Sequence, residues 1–201
     1  MNKQSLNVCN KKVLVVAPIY DKIDKLEKLN EMSDNNTIFV FLGNLFFPND
    51  NKIHERINKI QHFLDKNDGY YIIGKQDLLY LLNNKLDEFS FTWLNKQFNY
   101  VSFIFSSSIV LTIVHGGISP NINSWDKLKT FESSFVSKIE NQDWHHTYNG
   151  LFGYVISALP HIKENIQYYN FSCTIDNLAY KTNKLFIQEY NKFGLQDFYI
   201  I

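Results

Sequence analysis

The side chains able to do chemistry in this chain stand just beyond short apolar runs. His115-Gly116-Gly117 follows the run 109–114 and sets an imidazole at a turn that two glycines permit. Such a ring can ligate a metal, move a proton or hydrogen-bond its own turn, and the last is expected of an imidazole without partners. Lys75-Gln76-Asp77 follows the run 70–73, Asn44 follows 37–43, and Pro18-Ile19-Tyr20 follows 13–17. Brought together, these residues could hold an anion through Lys75, but they lack the set of carboxylates that a hard cation needs. His145-His146 offers two more imidazoles. Adjacent side chains point apart on a helix or a strand, so a surface pair is expected there rather than a metal centre. His54 and His62 fall on the polar side of a helical pattern and are expected to face solvent.

Other chemistries are poorly served. Gly150-Leu151-Phe152-Gly153 lacks the later Gly and Lys of a phosphate loop. No GxSxG elbow occurs, and Ser106-Ser107-Ser108 has the composition of a turn. Cys9 and Cys173 form no CxxC pair, which argues against zinc or a redox centre and for a reducing compartment. With a formal net charge of zero, nothing draws the chain electrostatically to nucleic acid or to an anionic membrane. Arg56 is the only arginine, so bidentate phosphate clamping has little to draw on. The surplus of Asn, Lys, Ile, Phe and Tyr is what AT-rich codons supply. The aromatic content of 16% reflects either that bias or an exposed partner-binding patch.

These residues need a scaffold, and the apolar periodicity describes one. At 201 residues, 45% hydrophobic and 20% charged, the chain fits a single domain over 1–201, with a polar, loose segment at 1–11. No apolar run reaches the ~18 residues of a membrane span. The run 13–19 reads as a strand rather than a signal peptide, because a small-residue cleavage site is missing, and a cytoplasmic location is expected. Continuous β-branched runs at 13–16, 37–42 and 70–73 suit strands buried on both faces. Between them, 21–33 places Ile23, Leu26, Leu29 and Met32 at helical spacing, and 51–66 does the same with Ile53, Ile57, Ile60 and Leu64. A short helix at 77–83 follows the third run. This alternation predicts a parallel sheet. The second half predicts antiparallel strands at 100–106 and 108–114, a mixed or helical stretch at 124–142, and short strands at 151–156, 165–175, 183–190 and 197–201. A layered α/β sandwich of two mixed sheets between helices satisfies the pattern, with ligands gathering beyond the carboxyl ends of the strands.

Taken in order, the strand-end turns resemble the motifs of calcineurin-like metallophosphoesterases, in the phosphoprotein-phosphatase-like branch that includes small bacteriophage enzymes. The likeness covers about residues 12–190. Its most specific piece is Val114-His115-Gly116-Gly117-Ile118-Ser119-Pro120, close to the family's hydrophobic-HGG-hydrophobic-SP signature. The resemblance implies a four-layer αββα sandwich. It lays the family's GDxHG on Ala17-Pro18-Ile19-Tyr20-Asp21, so that a metal-binding Asp becomes Pro18 and a His becomes Tyr20. GDxVDRG falls on 43–49, turning the bridging Asp into Asn44 and the phosphate-gripping Arg into Pro48. GNHE falls on Gly74-Lys75-Gln76-Asp77, turning a ligand Asn into Lys75 and the general-acid His into Gln76. The final GH falls on Gly153-Tyr154, and a Trp-Asn-Arg segment before it corresponds to Trp144-His145-His146. Only His115 keeps its imidazole.

The family's reaction uses two cations to activate a hydroxide and to take up charge on the transferring phosphoryl group. Those cations require carboxylate and imidazole ligands in a fixed shell. Pro18 offers no ligand and Asn44 only a neutral oxygen. An ammonium at Lys75 about 4 Å from a dication would cost roughly 8 kcal/mol at an effective dielectric near 20. The expectation is therefore a kept fold with no catalytic residue, no metal and no cofactor, a pseudophosphatase. Its vestigial rim would comprise Pro18, Tyr20, Asn44, Lys75, Gln76, His115 and Tyr154, plugged by Tyr20, Phe46, Phe47 and Tyr154. Such a chain would act by binding a protein partner, as a viral structural or regulatory component, with homo-oligomers allowed. The alternatives are a metal-free phosphohydrolase using Lys75 and His115, or a phosphate- or nucleotide-sensing module.

Overall fold

The computed structural model describes residues 5–46, 52–83, 86–119, 121–129, 144–160, 166–176 and 179–201. The first half runs β1 (Ser5–Asn7), β2 (Lys12–Val16), α1 (Leu26–Glu31), β3 (Thr37–Phe41), α2 (Ile53–Lys66), β4 (Gly69–Tyr71), α3 (Lys75–Leu82) and α4 (Glu88–Asn95). The second half runs β5 (Tyr100–Ile104), β6 (Val110–Val114), α5 (Trp125–Lys129), α6 (Trp144–Thr147), β7 (Tyr154–Pro160), β8 (Gln167–Tyr169), β9 (Ser172–Asp176), α7 (Ala179–Thr182), β10 (Phe186–Asn191) and β11 (Gly194–Ile200).

Two mixed sheets result, as the periodicity predicts. One has the order β11-β10-β2-β3-β4 and the other β1-β5-β6-β7-β9-β8. The three β-branched runs pair in parallel, Val13 level with Ile38 and Phe41 level with Tyr71. The first two are buried on both faces, which is why they lack alternation, while Tyr70 of the third is half-buried. The six-stranded sheet does alternate. Val101, Ile113 and Ile156 point into the main core, while their neighbours Tyr100, Val114 and Val155 join a second cluster with Trp144, Leu128 and Phe152. The main core lies between the sheets, and the second cluster lies under α5 and α6 on the far side. Helix α2 buries Ile53, Ile57, Ile60 and Phe63, and Phe63 meets Phe39 and Phe41 edge-on at 5.0 and 5.5 Å. Phe63 thus occupies the inner position expected of Leu64, which is only half-buried. Among the described residues no helix is long and apolar enough to cross a membrane.

Four features depart from the sequence expectation. The loose segment 1–11 holds β1, whose Ser5, Leu6 and Asn7 pair in parallel with Ser102, Phe103 and Ile104 of β5. A three-residue strand is too short to show periodicity. Helix α4 has no counterpart in the sequence reading, although Asp87 caps it, accepting from Ser90 N–H at 3.0 Å. The run 165–175 is a hairpin of β8 and β9 rather than one strand. Finally, the strand placed at 151–156 begins only at Tyr154 and continues to Pro160.

At the outer edge, β10 and β11 lose register between Gln188 and Tyr190. The Gln188 side chain occupies the irregularity, its Nε2 donating to the carbonyls of Gln196 and Asp197 at 3.1 and 3.0 Å.

Because Ile57 is fully buried on the face of α2 that meets the core, Ile57→Ala is expected to destabilise the chain by about 2–5 kcal/mol in urea denaturation. Leu82→Ala, at a side chain 65% exposed, is expected to stay within about 0.5 kcal/mol.

Candidate functional site

The turns after β2, β3, β4 and β6 meet at one end of the sandwich. After β3 the chain bends through Gly43 and Asn44, both in the left-handed region at φ 69° and 55°. A Cβ at Gly43 would lie 2.4 Å from Gly74 N and 2.5 Å from Ile72 O, and one at Gly74 would lie 2.3 Å from Asn44 N. The two turns therefore touch backbone to backbone, and only glycine fits at both.

Asp77 locks that contact. Its buried carboxylate accepts from the N–H groups of Asn44, Leu45 and Gly74, each at 2.9 Å, and from Tyr71 O–H at 2.7 Å. Burial pushes its pKa up, and these four donors oppose that shift. Desolvation and the facing carboxylate also push the Tyr71 phenol well above its usual range, so it stays a donor. Sequence reasoning took Asp77 only as the end of a motif. Its signal was an Asp three residues into a helix after Gly74, placed to reach back to the N–H of the cap.

Asn44 and His115 are each engaged within the rim. Asn44 Oδ1 accepts from Gln76 N–H at 3.0 Å, its Nδ2 lies 3.5 Å from Tyr20 Oη, and its carbonyl accepts from Tyr20 N–H at 3.0 Å. Asn44 and Tyr20 are buried, whereas Lys75 and Gln76 are half-buried at the start of α3. His115 is buried, with Nδ1 paired to the Leu42 carbonyl and its own carbonyl accepting from Ala158 N–H at 2.7 Å. Desolvation lowers its pKa to about 4; the Leu42 bond opposes the shift, and the positive charge of Lys75 adds to it. The ring is therefore neutral at pH 7, with Nδ1–H as donor. The ring thus reaches across to the turn after β3 instead of bonding within its own turn as the sequence suggests. Arg56 donates to the Leu45 carbonyl at 3.2 Å, tying α2 to the same turn.

Not every expected residue arrives. Tyr154 is level with Leu111, at the start of β7, while the rim lies beyond Val114 at the far end of β6. It sits beside Tyr190, with ring centroids 6.0 Å apart, and bonds to Cys173, whose thiol burial pushes up to about 12. Gly153 opens a strand instead of closing one, so Ser157 and Ala158 reach the level of His115 and Tyr154 takes no part in the rim. The surface pair expected at His145-His146 is also half right. His146 is exposed, but His145 is buried, stacked on Tyr169 at 4.1 Å with Nδ1 2.7 Å from Ser172 Oγ. Trp144 lies over the glycine turn, where a Cβ at Gly117 would come within 2.3 Å of Nε1. Phe46 packs on Tyr80 at 5.4 Å. Phe47, Pro48 and Pro120 lie outside the described residues.

Neither a family model nor a curated protein matches the sequence. Solved structures do match. A protein assigned as a diadenosine tetraphosphatase superposes with a TM-score of 0.67 at 13% identity, covering 100% of this chain and 98% of its own. A Saccharomyces cerevisiae protein serine/threonine phosphatase with similarity to human PP5 gives 0.66 at 10% identity, covering 98% and 82%. A hypothetical protein from Pyrococcus horikoshii OT3 gives 0.54 at 16%, covering 94% and 86%. The chain has the calcineurin-like metallophosphoesterase fold. The αββα sandwich inferred from the turns is thereby borne out.

A pair of cations does not fit the residues at this rim of the metallophosphoesterase fold. Pro18 has no donor, Asn44 Oδ1 already accepts a backbone N–H, Lys75 is cationic, and His115 is a single imidazole. Among the described residues no group of three or more His, Cys, Asp or Glu is placed to hold a metal.

Two outcomes follow from this geometry. The folded pKa of His115 lies below its unfolded value, so its contribution is complete above about pH 6.5 and is lost as pH falls towards 4. About 3 kcal/mol of stability should disappear over that window, and His115→Gln should flatten the pH profile of urea denaturation there. Asp77→Asn, which turns one acceptor oxygen into a donor facing N–H groups, should cost about 3 kcal/mol, against about 1 for Tyr71→Phe.

Proposed function

We propose that this chain is a catalytically inactive protein of metallophosphoesterase fold that acts by binding a protein partner. The observation that carries the reading is the engagement of Asn44 within a rim whose other positions bring no carboxylate ligand. Asn44 Oδ1, which stands where the family's bridging carboxylate would be, accepts Gln76 N–H at the start of α3. A hydrolytic centre needs the reverse, donors held in place but left open toward substrate and metal. Beside them, Pro18 and Tyr20 are buried, and the first brings no ligand.

The phosphatases among the structural neighbours favour a second reading, a residual phosphohydrolase. Metal-free phosphoryl transfer would require several cationic donors aimed at one phosphate. Lys75 is a single cation, Arg56 is bonded to the Leu45 carbonyl, and His115 is neutral at pH 7. The donor set thus supports the non-catalytic reading.

Metal analysis of the purified chain, run beside p-nitrophenyl phosphate hydrolysis with and without manganese, separates the two. The expected outcome is no stoichiometric metal and no hydrolysis above buffer. Manganese-stimulated hydrolysis that disappears in His115→Ala would refute the non-catalytic reading.

A further inference from the structure

A groove of about 800 Å³ lies away from the rim, between α1 with its preceding turn and α2. On the run 23–31, Asp24, Glu27 and Glu31 recur at intervals of three and four and so share one face. On α2, Lys59, His62 and Lys66 recur at the same intervals and line the other wall. All six are exposed, and among the described residues no salt bridge joins the walls. Lys59 is held instead by Glu55 on its own helix, at 2.8 Å. Between the walls, the buried Leu26 and Phe63 form an apolar floor.

Walls of opposite sign that closed on each other would pair directly. Here they stand apart, and the space matches about two turns of an α-helix about 10 Å across. We propose that the groove docks an amphipathic helix of a partner protein. The helix would set an apolar stripe on Leu26 and Phe63, a basic flank along Asp24, Glu27 and Glu31, and an acidic flank along Lys59, His62 and Lys66. A nucleic-acid strand or an anionic membrane would meet three carboxylates, and a helix of one sign would meet a like-charged wall. This proposal rests on the macromolecular-binding reading above and uses no residue of the rim.

The test uses the full chain and a labelled synthetic helix carrying Leu along one stripe, Lys along one flank and Glu along the other. Fluorescence anisotropy should show saturable binding. Combining Asp24→Lys, Glu27→Lys and Glu31→Lys should weaken it by about tenfold or more, since each exposed pair contributes a modest share. Changing the peptide's Lys flank to Glu should restore binding to that variant. The three positions are exposed, so circular dichroism should report an intact fold. Absence of binding, or equal affinity for the triple variant, would overturn the proposal. So would sedimentation of the free chain as a dimer that the triple substitution dissolves, which would assign the groove to a second copy. The non-catalytic reading fails separately, in the hydrolysis assay.

Discussion

One carboxylate organises the end of this sandwich. Asp77 gathers three backbone N–H groups and a phenol from the turn after β3, from β4 and from the start of α3. Those segments must touch, because Gly43 and Gly74 leave no room for a side chain between them. Backbone donors so close together and shut off from water would each cost of order 1–3 kcal/mol if unpaired. An acceptor with two oxygens is the compact solution. Everything else at the rim hangs from that clamp: Asn44 caps α3 because its turn is fixed, and His115 reaches Leu42 because that turn is fixed too.

Most of the scaffold was legible in the sequence because buried parallel strands and amphipathic helices leave strong periodicities. Val13 to Val16, Thr37 to Phe41 and the isoleucines of α2 announce themselves. The pieces that were not legible are those whose place is set by tertiary pairing. Ser5–Asn7 becomes a strand only because β5 offers an edge. Tyr154 falls on the family's final GH motif, yet Gly153 stands just before β7 and the level of His115 falls at Ala158, four residues after Tyr154. The engaged state of Asn44 could not be read either, since it depends on where α3 begins relative to the turn after β3. His145 shows the same limit, because its burial follows from Ser172 and Tyr169 lying opposite.

The rim and the helical groove ask different things of the chain. At the rim Asn44, Asp77 and His115 are buried and hydrogen-bonded to neighbouring turns, which favours rigidity over recognition. Along the groove Asp24, Glu27, Glu31, Lys59, His62 and Lys66 are exposed, and among the described residues no salt bridge joins the two walls, which favours encounter. A scaffold can lose chemistry at its strand ends and keep a separate surface on its helices, because the groove residues are none of those at the rim.

The irregular edge formed by β10 and β11 bears on how the chain behaves at high concentration. A flat, seven-residue border strand carrying Phe198 and Ile200 at the surface would be a ready template for stacking by neighbouring copies. The Gln188 plug interrupts its regular course, and Asp197 sets an exposed negative charge along it. Any copy trying to add itself in register would bring its own Asp197 into a crowded, bent border. The device guards against aggregation without covering the strand.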